Sequence, residues 1–228
     1  MRLTLLLVGM RWLAFGQEPA KVVPPVPADR RADTYAVYSA VLAHPSLSHP
    51  DDNKKYVIEE LSGAMSGARE TDPGSCVVVP EDYRAAFTEV LADRSEHHEE
   101  LFRLERAFTI PKPYDLITEA QARQFVASRN GRVRIGDEVE LFPGAVDLIT
   151  LGNVYFDRKR TVASVYTSAY CGSLCGLWTW RVFVKNAKGG WDEPHWSACM
   201  TIAASRSTTV RPPPVWLDRG QARTPTLR

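Results

Sequence analysis

The four cysteines are the most reactive side chains of this sequence, and their spacing decides which chemistry is open to them. They are Cys76, Cys171, Cys175 and Cys199. An even number of cysteines suits disulfide bonding, and four of them allow three pairings. Cys171 and Cys175 flank a glycine-containing turn, so we expect a bridge between them that fixes this turn. Cys76 and Cys199 are then either a second, longer-range bridge or two buried thiols.

Two other uses of the cysteines are disfavoured. A redox-active dithiol needs a thiol pKa lowered by a helix N-terminus or a cation, and the predicted turn between Cys171 and Cys175 has no such helix. A zinc site would combine this pair with His195 and Cys199. On one strand, His195 and Cys199 lie about 13 Å apart, too far to share an ion whose ligand distances are about 2.0–2.3 Å. We therefore expect no metal and no cofactor.

Catalytic motifs are missing from the rest of the sequence. It contains no phosphate-binding loop, no dinucleotide fingerprint and no serine elbow, so we assign no catalytic residue. The run Glu96-His97-His98-Glu99-Glu100 lacks metal-site spacing, because adjacent histidines on a helix point about 100° apart. We interpret this run as a solvated charged turn.

Three tryptophans leave two interpretations open. Trp178, Trp180 and Trp196 fall on neighbouring predicted strands. They form either a candidate aromatic binding face, for a sugar or a lipid, or part of the hydrophobic core, where strand tryptophans are more common.

Hydrophobic periodicity predicts the elements that position these residues. Four strand-like runs separated by turn signals cover residues 146–156, 161–170, 177–185 and 194–202. A further strand is predicted over 54–61, and helices over 33–45, from Pro80 onward, and over 119–128 after a capping box at Thr118. The predicted fold class is α+β, with N-terminal helices packed on one face of a C-terminal antiparallel meander of about four strands.

Both ends of the sequence differ from this central part. Residues 1–17 are typical of a signal peptide, with Arg2, an apolar run and a small-x-small site, so we expect export to the periplasm or the medium. Residues 18–32 are predicted to be a proline-rich linker, and 33–203 a single α+β domain. Residues 204–228 carry five arginines and one aspartate. We expect a disordered tail there, with at most a weak contact to an acidic surface.

The overall composition is that of an ordinary globular protein. The 228 residues are 44% hydrophobic and 24% charged, which excludes a collagen-like, coiled-coil or wholly disordered chain. The net charge is +1, so no basic excess indicates nucleic-acid binding. No stretch is long and apolar enough for a transmembrane helix.

The predicted hairpins carry a resemblance to a known group of proteins. The segments concerned are Val154–Thr161, Val165–Thr167, Tyr170–Gly176 and Asn186–Trp191, with weaker matches at Tyr35–Tyr38 and Tyr56–Ile58. Together they resemble a group of uncharacterised exported bacterial proteins with a Cys-Gly-x-x-Cys-Gly hairpin turn. The likeness covers residues 33–203 and departs from the group in the tail and at Trp178–Trp180. It implies compartment and layout, and no activity.

The sequence therefore predicts an exported globular protein that is a non-enzymatic binding or envelope-associated module with a disulfide-pinned hairpin. The alternative is a small extracytoplasmic enzyme, either a hydrolase or a thiol-disulfide protein. That alternative would need a cleft in which acids, His195 or the Cys171 and Cys175 thiols converge with perturbed pKa values.

Overall fold

The computed structural model describes residues 22–43, 55–63, 72–129, 142–145, 147–172, 175–196 and 199–202, with the backbone alone at 175 and 200–202. The predicted signal peptide and the predicted tail lie outside the described residues. Of the predicted linker, residues 22–27 run beside the chain at Arg103, to which Pro25 forms an isolated bridge. The first helix begins at Ala28, inside the predicted linker.

The described residues form helices and strands in mixed order, so the fold is α+β. The helices are α1 Ala28–Ala43, α2 Pro73–Cys76, α3 Glu81–His97 and α4 Glu119–Arg129. The strands are β1 Tyr56–Glu59, β2 Tyr114–Ile117, β3 Leu148–Phe156, β4 Val162–Gly172, β5 Cys175–Lys185, β6 Trp191–Asp192 and β7 Cys199–Ile202. None of these helices is long and apolar enough to cross a bilayer.

One mixed sheet contains all of these strands. Its order is β2-β1-β3-β4-β5-β6, with β7 also paired with β5. Strand β1 is parallel to β2 and to β3, and the other pairings are antiparallel. Three strands of the predicted meander, β3 to β5, are present. The parallel pair β2-β1 extends the sheet beyond that prediction.

The predicted fourth strand over 194–202 is shortened to β7, and β6, which precedes it in the chain, pairs with the same edge of β5. Strand β6 pairs with β5 at Val184 and Lys185, and β7 pairs with residues 177–180 at its other end. Pro194 lies between them and has no N–H to donate to a ladder, so the segment leaves the sheet there.

Helices cover both faces of the sheet, which corrects the expectation of helices on a single face. Helix α1 packs on one face, where Tyr38 and Val41 meet Leu151 and Phe183. Helices α3 and α4 pack on the other face, in two adjoining clusters. The reason lies in strands such as β3, in which all nine residues are buried, as expected for a sheet that is covered on both sides.

Local signals place the starts of α3 and α4 correctly. Gln121 Oε1 accepts from the Thr118 N–H at 2.9 Å, and Thr118 Oγ1 accepts from the Gln121 N–H at 3.3 Å. This is the predicted capping box, and α4 begins directly after it. Helix α3 likewise begins after Pro80 with two acids in its first turn.

Candidate functional site

The cysteines whose side chains the structure describes, Cys76, Cys171 and Cys199, are all oxidised. Cys76 and Cys199 form a disulfide that connects α2 to β7 across 123 residues, which confirms the longer-range bridge over two buried thiols. Cys171 is also disulfide-bonded. The backbone pairs Gly172 with Cys175 in the β4–β5 hairpin, but the Cys175 side chain lies outside the described residues. The pairing of Cys171 with Cys175 therefore stays a prediction.

The disulfide also bears on the zinc hypothesis. Zinc is bound by thiolates, and the sulfur of Cys199 is engaged with Cys76. His195 is exposed in the turn after β6. In the described residues no group of three or more His, Cys, Asp or Glu side chains is arranged to hold a metal ion.

The candidate aromatic face lies largely in the core. Trp180 is 1% exposed and packs against the rings of Tyr155 and Tyr166. Trp178 is partly buried against the same cluster, and the Trp196 ring lies 5.4 Å from that of Tyr83. Helix α3 supplies the cover for this face, so Trp180 is not open to a ligand.

The most prominent group of polar side chains lines a cleft of about 500 Å³ between the start of α1, the second half of α3 and the β3–β4 turn. We call it the charged cleft. Its lining residues are Pro27, Asp29, Arg30, Glu89, Ala92, Asp93, Glu96, His97, Glu100, Phe156, Asp157, Arg158 and Arg160.

The centre of the charged cleft is an ion pair between α1 and α3. Arg30 donates to both oxygens of Asp93, at 3.2 and 2.6 Å, and also to the Val154 carbonyl at 2.9 Å. Asp93 Oδ2 accepts a further hydrogen bond from the Phe156 N–H at 2.8 Å. The pair is mostly buried and links both helices to β3 across the end of the sheet.

His97 lies beside this pair among carboxylates. Its Nε2 is 3.5 Å from Asp93 Oδ1 and 4.0 Å from Glu96, and its Nδ1 is 3.0 Å from Glu100 Oε1. His98 is exposed and does not line the cleft. The two neighbouring imidazoles therefore diverge as predicted, but the run contributes to a cleft rather than to a simple solvated turn.

A buried network holds the end of α3 in place. Asn153 donates to the carbonyls of Glu100 at 2.7 Å and of His97 at 3.4 Å, and its Oδ1 accepts from Ser62 at 2.6 Å. Asn153 occupies a β-bulge in β3, where the register shifts between Leu151 and Val154. The bulge thus positions the polypeptide that carries His97.

The opposite wall is built on a tight turn. Asp157 accepts from the N–H groups of Thr161 and Val162 at 2.6 and 2.7 Å, which fixes the turn after β3. Arg160 has a φ of 53° and pairs with Asp29 at the start of α1. The Arg158 N–H donates to Glu89 of α3 at 3.1 Å, so the turn is connected to both helices.

Part of this site can be predicted from the sequence. Glu89, Asp93, Glu96 and His97 recur at the spacing of one helical face, so a polar face of α3 was open to prediction. Arg30 was placed in the predicted linker and not in the site. Its partner Asp93 lies 63 positions away, and no local pattern connects the two.

Comparison of the chain with protein-family models, with curated proteins and with solved structures finds no match.

Proposed function

We propose that this protein is an exported, non-enzymatic binding module and that the charged cleft is its ligand site. The observation that carries the proposal is a cleft of about 500 Å³ in which charged side chains from two helices and a turn converge. That volume is in the range of small-molecule sites, about 300–1,000 Å³.

The charge of the lining selects the class of ligand. Six acidic side chains and three arginines line the cleft, a net charge of −3 with His97 neutral. Arg30 and the turn N–H groups already satisfy Asp93 and Asp157, whereas Glu96 and Glu100 are exposed at the rim. A ligand that carries an ammonium or guanidinium group fits this lining, since charge complementarity guides encounter and orientation.

Support for a binding role comes from the chemistry of the lining. No Ser, Thr or Cys is among the residues that line the described cleft, so it presents no hydroxyl or thiol nucleophile. Its buried charged groups are held within the fold: Arg30 and Asp93 pair with each other, and Asp157 accepts from the N–H groups of its own turn. Such a site is organised to recognise a ligand by charge.

Support for export comes from the disulfide between Cys76 and Cys199, since such bonds persist mainly in oxidising compartments. The signal-like residues 1–17 point the same way.

The test is an isothermal calorimetric titration of the full chain with triarginine peptide at low ionic strength. Glu96→Gln combined with Glu100→Gln is expected to weaken binding about fivefold or more, because two rim carboxylates are lost. Glu81→Gln combined with Asp82→Asn is the matched control, with two acids removed from the other end of α3. Equal weakening by both double variants, or no binding by the parent chain, would contradict the proposal.

A hydrolase is the second candidate, and His97 is the observation in its favour. An imidazole with carboxylates near both ring nitrogens resembles a general base with its orienting group. His97→Gln separates the two functions. If the charged cleft only binds, this variant retains triarginine binding and the parent chain releases no product from ester or peptide substrates.

A further inference from the structure

A buried carboxyl group lies at the end of β1, away from the charged cleft. Glu59 is 4% exposed, although glutamate is rarely buried without a charged partner. It is on the same face of β1 as Val57, which packs in the cluster that holds Phe125 of α4. The described residues give its carboxyl one hydrogen bond, from Thr150 Oγ1 at 3.4 Å.

The groups that face Glu59 do not neutralise it. On β2 its register partner is the apolar Ile117, and on β3 its neighbour is the uncharged Thr150. Helix α4 contributes Glu119, which opposes a charge on Glu59, and Arg123, which favours one. Arg123 is ion-paired with Glu119, so its positive charge is already balanced by that carboxylate and does not neutralise Glu59. Burial, as the largest cause, raises the pKa of Glu59 to about 7.

Helix α4 is the element that an ionised Glu59 would disturb. This helix has eleven residues, of which Ala122 and Phe125 are buried. An ionised carboxyl in this position needs water, and water reaches it when the helix moves off the sheet. By contrast, α3 has seventeen residues and is held by the Arg30–Asp93 pair.

We propose that Glu59 is a pH-sensitive switch that holds α4 on the sheet while its carboxyl is protonated and releases the helix when it ionises. Protonation stabilises the closed arrangement at acidic pH, and this stabilisation is lost as the pH rises through about 7. Local opening of one short helix is a low-energy motion that does not require global unfolding. The switch does not depend on the function of the charged cleft.

Hydrogen exchange of the full chain, measured by mass spectrometry between pH 5.5 and 8.5, tests the switch. After correction for intrinsic exchange, protection of residues 119–129 is expected to fall about tenfold or more as the pH rises from 5.5 to about 7, and to level off above that. Protection of α3 serves as the internal reference and is expected to stay constant. Glu59→Gln is expected to abolish the fall in α4, whereas the neighbouring Glu60→Gln retains it.

Thr150→Val provides a second variant in case Glu59→Gln does not fold. The hydrogen bond from Thr150 lowers the pKa of Glu59, so its loss is expected to move the fall in α4 protection to higher pH. The proposal is overturned if α4 protection in the parent chain is independent of pH. It is equally overturned if Glu59→Gln keeps the fall, or if Thr150→Val leaves its midpoint unchanged.

Discussion

At the scale of single residues, Asp93 contributes both to the charged cleft and to the fold. Its carboxylate joins Arg30 of α1, the Phe156 N–H of β3 and His97 within one helix turn. Removal of the carboxylate leaves the Phe156 N–H without its acceptor and the mostly buried Arg30 guanidinium without its counter-charge, with the Val154 carbonyl still accepting from it. Substitution of Asp93 is therefore expected to affect both the charged cleft and the stability of the fold.

Asp93→Ala is therefore expected to lower the free energy of unfolding by about 2 kcal/mol or more, after allowance for partial solvent exposure. Asp82→Ala on the same helix is expected to cost less than about 1 kcal/mol, because Asp82 is exposed. Chemical denaturation of both variants measures the difference. Similar losses for the two aspartates would contradict a central role for Asp93.

Position 152 accommodates only glycine, because a larger side chain would clash with the neighbouring strand. A Cβ at this position would lie 2.7 Å from the Tyr166 carbonyl oxygen on β4. The Gly152 carbonyl also accepts from the Tyr38 hydroxyl at 2.9 Å, so the bulge cannot shift freely. Gly152→Ala is expected to destabilise the fold by about 1–3 kcal/mol. Gly189→Asn, at a turn glycine with a φ of 81° and open space around its Cβ, is expected to cost only the smaller backbone strain that asparagine has at a positive φ, about 1 kcal/mol or less.

At the scale of elements, sequence reasoning succeeded where the signal is local. The capping box at Thr118 fixes the start of α4, and turn signals separate β3, β4 and β5. It did not find the parallel pairing of β1 with β2, because those strands lie far apart in the chain. Pro194 already indicates, from the sequence, that the predicted fourth strand cannot be continuous, since proline has no N–H to donate within a β-ladder.

The face of the sheet that α1 covers was also missed. Alternation of Trp178, Trp180 and Val182 predicts one apolar face of β5, and helices were expected on a single face of the sheet. Arg181, however, is buried and ion-paired with Glu193, and it donates to the Val41 carbonyl of α1 at 2.9 Å. A buried arginine looks polar in sequence, so Arg181 interrupts the apolar positions of the second covered face, although Phe183 on that face is buried.

The Cys76–Cys199 bridge is an element-scale restraint on β7. It holds the last strand against β5 and brings α2 to the same cluster. Replacement of both cysteines by serine is expected to cost about 2–5 kcal/mol, because the bridge closes a long loop. Thermal unfolding of this double variant measures the loss. An unchanged melting temperature would show that β5 pairing alone holds β7.

At the scale of the whole molecule, the pH response follows from Glu59. Its pKa is raised to about 7 in the folded chain, so the folded state binds a proton more tightly than the unfolded state does. Global stability is therefore expected to be greater at pH 5.5 than at pH 8.5 as far as this residue contributes. The difference between the parent chain and Glu59→Gln in denaturation at both values isolates that contribution. An equal difference at the two pH values would contradict it.

Compartment is also a property of the whole molecule, because cleavage and oxidation occur together on export. The mature chain from a periplasmic expression host is expected to lack about the first sixteen residues, as the small-x-small pattern ending at Gly16 predicts. Alkylation before and after reduction is expected to reveal four thiols only after reduction, two of them from Cys76 and Cys199. A cleaved chain with free thiols at 171 and 175 would remove the predicted hairpin bridge and keep export. An uncleaved chain with four free thiols would contradict export itself, because the Cys76–Cys199 bond then has no oxidising compartment in which to form.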